Sequence, residues 1–165
     1  MSEEMQSSPS SIAALNFAFR EKLMSVAEGF RHNFCYHCGA CVADCPAGNY
    51  SEGFNPRLII LKTLLGFENE LIDPESEIWD CTNCYTCSER CPQDVRPIDV
   101  IIALKNICTM EGKAPSIVGK IHGSVIQSGT TTKMSSLAEK RRQEFGLPPV
   151  KEIPVDEIKK ITGND

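Results

Sequence analysis

Residues 35–46 read Cys35-Tyr36-His37-Cys38-Gly39-Ala40-Cys41-Val42-Ala43-Asp44-Cys45-Pro46, and residues 81–92 read Cys81-Thr82-Asn83-Cys84-Tyr85-Thr86-Cys87-Ser88-Glu89-Arg90-Cys91-Pro92. Both follow C-x2-C-x2-C-x3-C-P, and together they use eight of the nine cysteines. The 35 residues between Cys45 and Cys81 decide what holds these runs, and they carry helix signals. Asn55-Pro56 is an N-cap and first-turn pair, Leu58–Leu65 follow, and Gly66 suits the stop. Asp73-Pro74 repeats the start signal before Glu75–Trp79. Beyond the second run, Pro97 opens a helix through Ile98, Ile101, Ile102, Lys105 and Cys108 to Gly112. There is little period-2 alternation and no Asn-Gly or Asp-Gly hairpin turn. The expected fold class is all-α, with both cysteine runs in loops between helices.

Nine cysteines admit three chemistries. A disulfide scaffold requires an even count and an oxidising compartment. A structural zinc site usually separates two C-x2-C pairs by a dozen or more residues. Here three cysteines fall within seven residues, followed by a fourth and a proline, which is the iron–sulfur run of two-cluster proteins. The expected cofactors are two [4Fe–4S] clusters, with Cys35, Cys38, Cys41, Cys45, Cys81, Cys84, Cys87 and Cys91 as ligands. In such runs the fourth cysteine ligates the other cluster. That rule gives cluster 1 to Cys35, Cys38, Cys41 and Cys91, and cluster 2 to Cys81, Cys84, Cys87 and Cys45. On an ideal helix the first and third cysteines of a run would stand about 9 Å apart along the axis. Each x2 segment is therefore expected to curl as a tight loop, helped in the first run by Gly39. Cys41 and Cys45 lie four residues apart, about 6 Å along a helical path, which ties the clusters close together.

The flanks read differently. Residues 1–11, with five serines, a proline and two glutamates, have the composition of a disordered tail. From 12 to 30 the pattern is helical: Ile12, Leu15, Phe19, Leu23 and Val26 form one stripe, with Ser10 or Ser11 as cap and Gly29 as stop. That stripe can cover the domain's own core or dock on a partner, and the sequence leaves both open. The two-cluster domain is assigned to 31–112. Residues 113–165 have no cysteine. Ile117, Ile121 and Val125 suit one helix, Ser136 and Glu139 have capping-box spacing for another ending near Phe145 and Gly146, and Val155–Ile161 suit a short third. So broken a segment builds a poor core alone, so a docking extension that packs on a neighbouring protein of the same complex is expected.

The formal net charge of −5 gives no electrostatic support to nucleic-acid binding. The longest apolar runs, Leu58–Leu61 and Val100–Leu104, fall far short of the roughly 20 residues of a membrane span. Glu3 and Glu4, with no basic then apolar segment behind them, predict no secretory signal and a cytoplasmic chain. No glycine-rich nucleotide fingerprint and no acid–base constellation stands out, so no catalytic residue is assigned. Cys108, on the apolar face of its helix, reads as a small buried hydrophobe rather than a ligand. His37 reads as exposed rather than hydrogen-bonded to a cluster. Arg90 and Arg96 either offset cluster charge or are solvated surface. Trp79 reads as a shield between a cluster and water.

The stretch Ile78–Pro92, Asp99-Val100-Ile101 with Ala103–Ile107 after it, and Cys35–Pro46 leading to Asn55-Pro56-Arg57 together resemble the iron–sulfur component of the soluble heterodisulfide reductase of methanogens, its C subunit. The likeness covers about Phe34–Gly112. The cluster motif alone is shared with other redox proteins, including iron–sulfur components of succinate and glycerol-3-phosphate dehydrogenases. The resemblance implies an α-helical ferredoxin fold and a relay role in methanogenesis. In such complexes a flavin-bearing component (the A subunit) bifurcates electron pairs, and one branch passes through the iron–sulfur component to the catalytic one (the B subunit). The catalytic component reduces the mixed disulfide of coenzyme M and coenzyme B. Electrons enter from a hydrogenase or formate dehydrogenase module. The catalytic component carries adjacent Cys-Cys pairs for its clusters, and this sequence has none. The competing readings are a free two-cluster ferredoxin, or a relay component of another dehydrogenase or heterodisulfide-reductase-like complex.

Overall fold

A computed structural model describes residues 15–26, 31–150 and 153–163, and every α-helix, 3-10 turn and cap below belongs to these. The helices are α1 (Phe19–Val26), α2 (Ala40–Ala43), α3 (Pro46–Tyr50), α4 (Pro56–Leu65), α5 (Glu68–Leu71), α6 (Thr86–Glu89), α7 (Pro97–Met110), α8 (Ser116–Ser128), α9 (Ser136–Glu144) and α10 (Val155–Thr162). Two 3-10 turns, His32–Phe34 and Glu77–Asp80, each lead directly into a cysteine run. Among the described residues there is no strand, so the fold class is all-α. The chain divides into two compact units, Met1–Ala114 and Pro115–Asp165.

The first unit is built around α4 and α7. Asn55 caps α4: its Oδ1 accepts from the N–H groups of Arg57 and Leu58, both at 3.1 Å. Pro56 occupies the first turn, and Gly66, at φ +84°, closes the helix in the left-handed region. Gly66 is required twice over, because a Cβ there would overlap the backbone of Asn16, whose N–H donates to the Gly66 carbonyl at 2.8 Å. α7 buries Ile98, Val100, Ile101, Leu104, Ile107 and Cys108, so most of its circumference faces protein. α1, α4, α6 and the Glu77–Asp80 turn pack around it.

α1 supplies Phe19 and Leu23 to the same core, both fully buried. Lys22 adds ion pairs to Glu68 and Glu111. Of the two roles open for the apolar stripe, these two side chains take the first, covering the unit's own core. The expected cap at Ser10 or Ser11, the stop at Gly29 and Ile12 lie outside the described residues.

The Asp73-Pro74 start signal does not open an α-helix. Asp73 Oδ1 accepts from the Glu75 N–H at 2.8 Å and turns the chain, and Ser76 then caps the 3-10 turn Glu77–Asp80. Cys81, where the chain must leave helical geometry, follows that cap after little more than one helical turn. The tight turn also buries Ile78.

In the second unit α8 packs against α10. Ser135, not Ser136, caps α9, accepting from the Ala138 N–H at 3.2 Å. None of the described residues of this unit is buried.

Candidate iron–sulfur site

The two cysteine runs fold alike. Each follows a 3-10 turn and enters with an extended first cysteine, Cys35 (φ −69°, ψ 115°) or Cys81 (φ −65°, ψ 121°). Two left-handed residues come next at matching positions: His37 (φ 61°) and Gly39 (φ 86°) in the first run, Asn83 (φ 54°) and Tyr85 (φ 64°) in the second. This alternation curls the backbone around a centre. A short helix then carries the third cysteine, Cys41 on α2 and Cys87 on α6, and α2 packs on α6. Asp44 and Arg90, which stand just before the fourth cysteines of the two runs, meet in an ion pair at 3.0 Å.

The thiols gather in two sets of four. Cys35, Cys38, Cys41 and Cys91 line one hollow that opens to solvent. Cys45, Cys81, Cys84 and Cys87 line a second. Each set takes three cysteines from one run and the fourth from the other. Cys108 joins neither. It is fully buried in the core, with its thiol 3.7 Å from the Leu71 carbonyl. Cys108→Ala is expected to leave iron content unchanged and cost about 1 kcal/mol through a small cavity, read from a chemical denaturation midpoint.

Burial pushes the Cys41 thiol up to about 12, with the Cys87 and Cys35 thiols adding to it. Cys87 is raised to about 11, again by burial first and then by Cys81. The third cysteines of the two runs sit on α2 and α6, the two short helices that pack on one another. Left to themselves these thiols keep their protons, and a cation that binds them must release those protons. Hydrogen bonding to Thr86 instead lowers the exposed Cys84, whose Sγ lies 3.5 Å from Thr86 Oγ1. Cys45 Sγ accepts from the Gly48 N–H at 3.5 Å, and Cys91 Sγ from the Val95 N–H at 3.3 Å.

These residues fit an iron–sulfur group. The donor set is all thiol and all nine cysteines are free. Backbone N–H groups are aimed at sulfur, as the anionic thiolates of a cluster require. Among the described residues no three His, Cys, Asp or Glu side chains are grouped to hold a single metal ion, whereas each set of four thiols surrounds a space.

The side chains around the runs take definite places. His37 is half-buried and lines the first hollow. Arg90 and Arg96 are more than half exposed and paired with Asp44 and Asp99. Trp79 does not line the second hollow. Its Nε1 donates to the Asp73 carbonyl at 3.2 Å, and the Lys105 ammonium lies 5.8 Å from its ring. Lys105 in turn donates to the Cys81 carbonyl at 3.0 Å and to Asn83 Oδ1 at 3.3 Å, tying down the second loop. Trp79 thus supports that loop through Lys105 rather than covering the hollow. Sequence reasoning missed Lys105 and also Arg57, which lines the first hollow. No spacing or composition signal marks either residue.

Residues 31–95 match the family described as the 4Fe-4S dicluster domain. The chain is 35 % identical over 114 residues to the second iron–sulfur C subunit of the CoB–CoM heterodisulfide reductase of Methanocaldococcus jannaschii, covering 69 % of this chain and 60 % of that protein. It thus spans less than two thirds of that relative's length. It is 33 % identical over 133 residues to the iron–sulfur C subunit of the CoB–CoM heterodisulfide reductase of Methanopyrus kandleri, 77 % of this chain and 68 % of the other. A third relative, the C subunit of the ferredoxin/F(420)H(2)-dependent CoB–CoM heterodisulfide reductase of Methanosarcina acetivorans, is 34 % identical over 76 % of both chains. With its two four-thiol sets inside the matched dicluster region, the chain belongs to the family of iron–sulfur C subunits of CoB–CoM heterodisulfide reductases.

Proposed function

We propose that this chain is the electron relay of a heterodisulfide reductase complex, holding one [4Fe–4S] cluster in each hollow. In this reading Cys35, Cys38, Cys41 and Cys91 ligate cluster 1, and Cys81, Cys84, Cys87 and Cys45 ligate cluster 2. The observation that carries it is the pair of adjoining four-thiol hollows, each completed by the fourth cysteine of the other run. When bound, each cluster supplies a centre that takes up and returns one electron. The chain's own residues hold the two centres side by side at Cys41 and Cys87, shield them with Ile60 and Val95 on one side and Phe54 and Ile101 on the other, and leave Cys38 and Cys84 at the surface. Exposed ligands give electrons a short way in and out.

Electrons pass from the flavin-bearing component (the A subunit) through this chain to the catalytic component (the B subunit), where the coenzyme M–coenzyme B heterodisulfide is reduced. A hydrogenase or formate dehydrogenase module supplies them. The names of the relatives support this assembly, including the C2 subunit of an H(2)/formate:CoB-CoM heterodisulfide,ferredoxin reductase from Methanococcus maripaludis. Disulfide cleavage takes two electrons and a site that holds both sulfurs. No adjacent cysteine pair is present here, which supports assigning that step to another protein of the complex. No helix among the described residues is long and apolar enough to cross a membrane. The free thiols favour a reducing compartment, the cytoplasm. Residues 113–165, nearly all of them in the second compact unit, serve as the docking extension, and their exposed apolar side chains disfavour a free ferredoxin.

Metal analysis tests this reading. Anaerobically prepared protein is expected to hold about eight irons and about eight inorganic sulfides per chain, four of each per cluster. Stoichiometric zinc, or only about four irons, overturns it.

A further inference from the structure

We propose that Arg57 is a positioning residue for the transferred electron: its guanidinium, in the wall of the first hollow, stabilises the reduced state there and raises the potential of that centre alone. The inference rests on the two-cluster reading above. Arg57 is half-buried at the start of α4, its N–H held by Asn55 Oδ1. Its Nη1 lies 3.9 Å from where a Cβ on Gly39 would stand, so the guanidinium rests against the loop between Cys38 and Cys41.

Two comparisons make this charge distinctive. Arg31, Arg90 and Arg96, also near the runs, are each spent on a carboxylate: Asp94 at 3.3 Å, Asp44 at 3.0 Å and Asp99 at 3.0 Å. Arg57 has no carboxylate within ion-pair reach among the described residues, and it lines the hollow together with the four thiols. The wall of the second hollow carries no charged side chain apart from its thiols. Lys105 approaches that loop from outside and directs its ammonium at the Cys81 carbonyl and Asn83.

A one-electron reduction adds one unit of negative charge to the centre, with the electron coming from a reduced donor and no atom transferred. A fixed guanidinium beside that centre favours the more negative state, and partial burial limits the screening by water. Arginine suits the task because it stays charged at every working pH. Net charge and hydrogen bonding to sulfur are the means by which a protein sets such potentials.

The test is a reductive titration of the full chain with a chemical reductant and mediators, followed by electron paramagnetic resonance, on wild type, Arg57→Gln and Arg57→Lys. Arg57→Gln is expected to shift the reduced-to-oxidised ratio of one centre about tenfold towards oxidised at fixed potential, which for a one-electron couple is about 59 mV. The other centre stays put, and Arg57→Lys recovers most of the loss. Unchanged midpoints, or equal shifts of both centres, at full iron content overturn the proposal. If Arg57→Gln loads too little iron to titrate, Arg57→Lys decides. Full loading with a near-native midpoint supports a charge role, while failure of both makes Arg57 a structural post and overturns it. A wild-type chain that never holds two clusters would instead refute the underlying reading.

Discussion

Cys45→Ala is expected to cost the chain the cluster held by Cys81, Cys84 and Cys87, while the cluster nearer to it in sequence survives. Cys45 is buried, its thiol lines the second hollow, and the Gly48 N–H donates to that sulfur. In the proposed assignment alanine removes the fourth thiol and leaves one iron of the cube without a protein ligand, which weakens its hold. Cys91→Ala is expected to do the reverse, removing the cluster beside Cys35, Cys38 and Cys41. In either variant iron should fall to about half of the wild-type content. Resonance spectra should retain the signal of the surviving centre. The comparison with Cys35→Ala is decisive: if Cys45→Ala and Cys35→Ala remove the same signal, the exchange of fourth cysteines between the runs is wrong. Loss of both signals in every variant would show instead that the two centres assemble only as a pair.

The two cysteine runs were legible because ligand spacing is local information, and a run that follows C-x2-C-x2-C-x3-C-P brings its own rule about the fourth position. The same holds for α4, whose cap, first turn and stop at Asn55, Pro56 and Gly66 are all set by neighbours in sequence. Tyr85 was not legible. Its left-handed backbone is disfavoured for a residue with a Cβ, and only the match to Gly39 in the first run hints at it. The loop imposes that conformation because the backbone must curl around the hollow. The Asp73-Pro74 signal misled for a related reason: capping chemistry is local, but the nearby entry into Cys81 leaves no room for a helix to propagate. Arg57 and Lys105 were invisible for the opposite reason. Each gains its place only when α4 and α7 pack, so neither spacing nor composition marks it. The α1 stripe could be read two ways from sequence, and the burial of Phe19 and Leu23 beside α7 was needed to choose.

Removal of residues 115–165 is expected to leave both clusters bound and to weaken assembly with the other proteins of the complex on the order of a hundredfold. The first unit keeps its own core without this segment, since the fully buried residues from Phe19 to Cys108 all belong to it. The second unit is the contrary case. α8, α9 and α10 contain no buried residue, and Ile117, Leu137, Phe145 and Ile161 stand exposed, Phe145 at 77 % and Ile161 at 84 %. What holds the unit together is the packing of α8 on α10, a hydrogen bond from Ser124 Oγ to the Thr130 carbonyl at 2.9 Å and one from Arg142 to the Pro148 carbonyl at 2.7 Å. These exposed apolar side chains are the ones that the proposed docking would take out of water. Burying one large side chain contributes about 1.5–3 kcal/mol, so losing even two contacts of that size exceeds the roughly 2.8 kcal/mol of a hundredfold change. The truncated chain should show native iron content and native resonance spectra. It should fail to co-elute with the catalytic partner at concentrations where the full chain does. Unchanged affinity would move the interface to the first unit, where Phe17, Tyr50 and Met110 are among the exposed candidates. Loss of iron on truncation would mean that the extension braces the cluster unit rather than a partner.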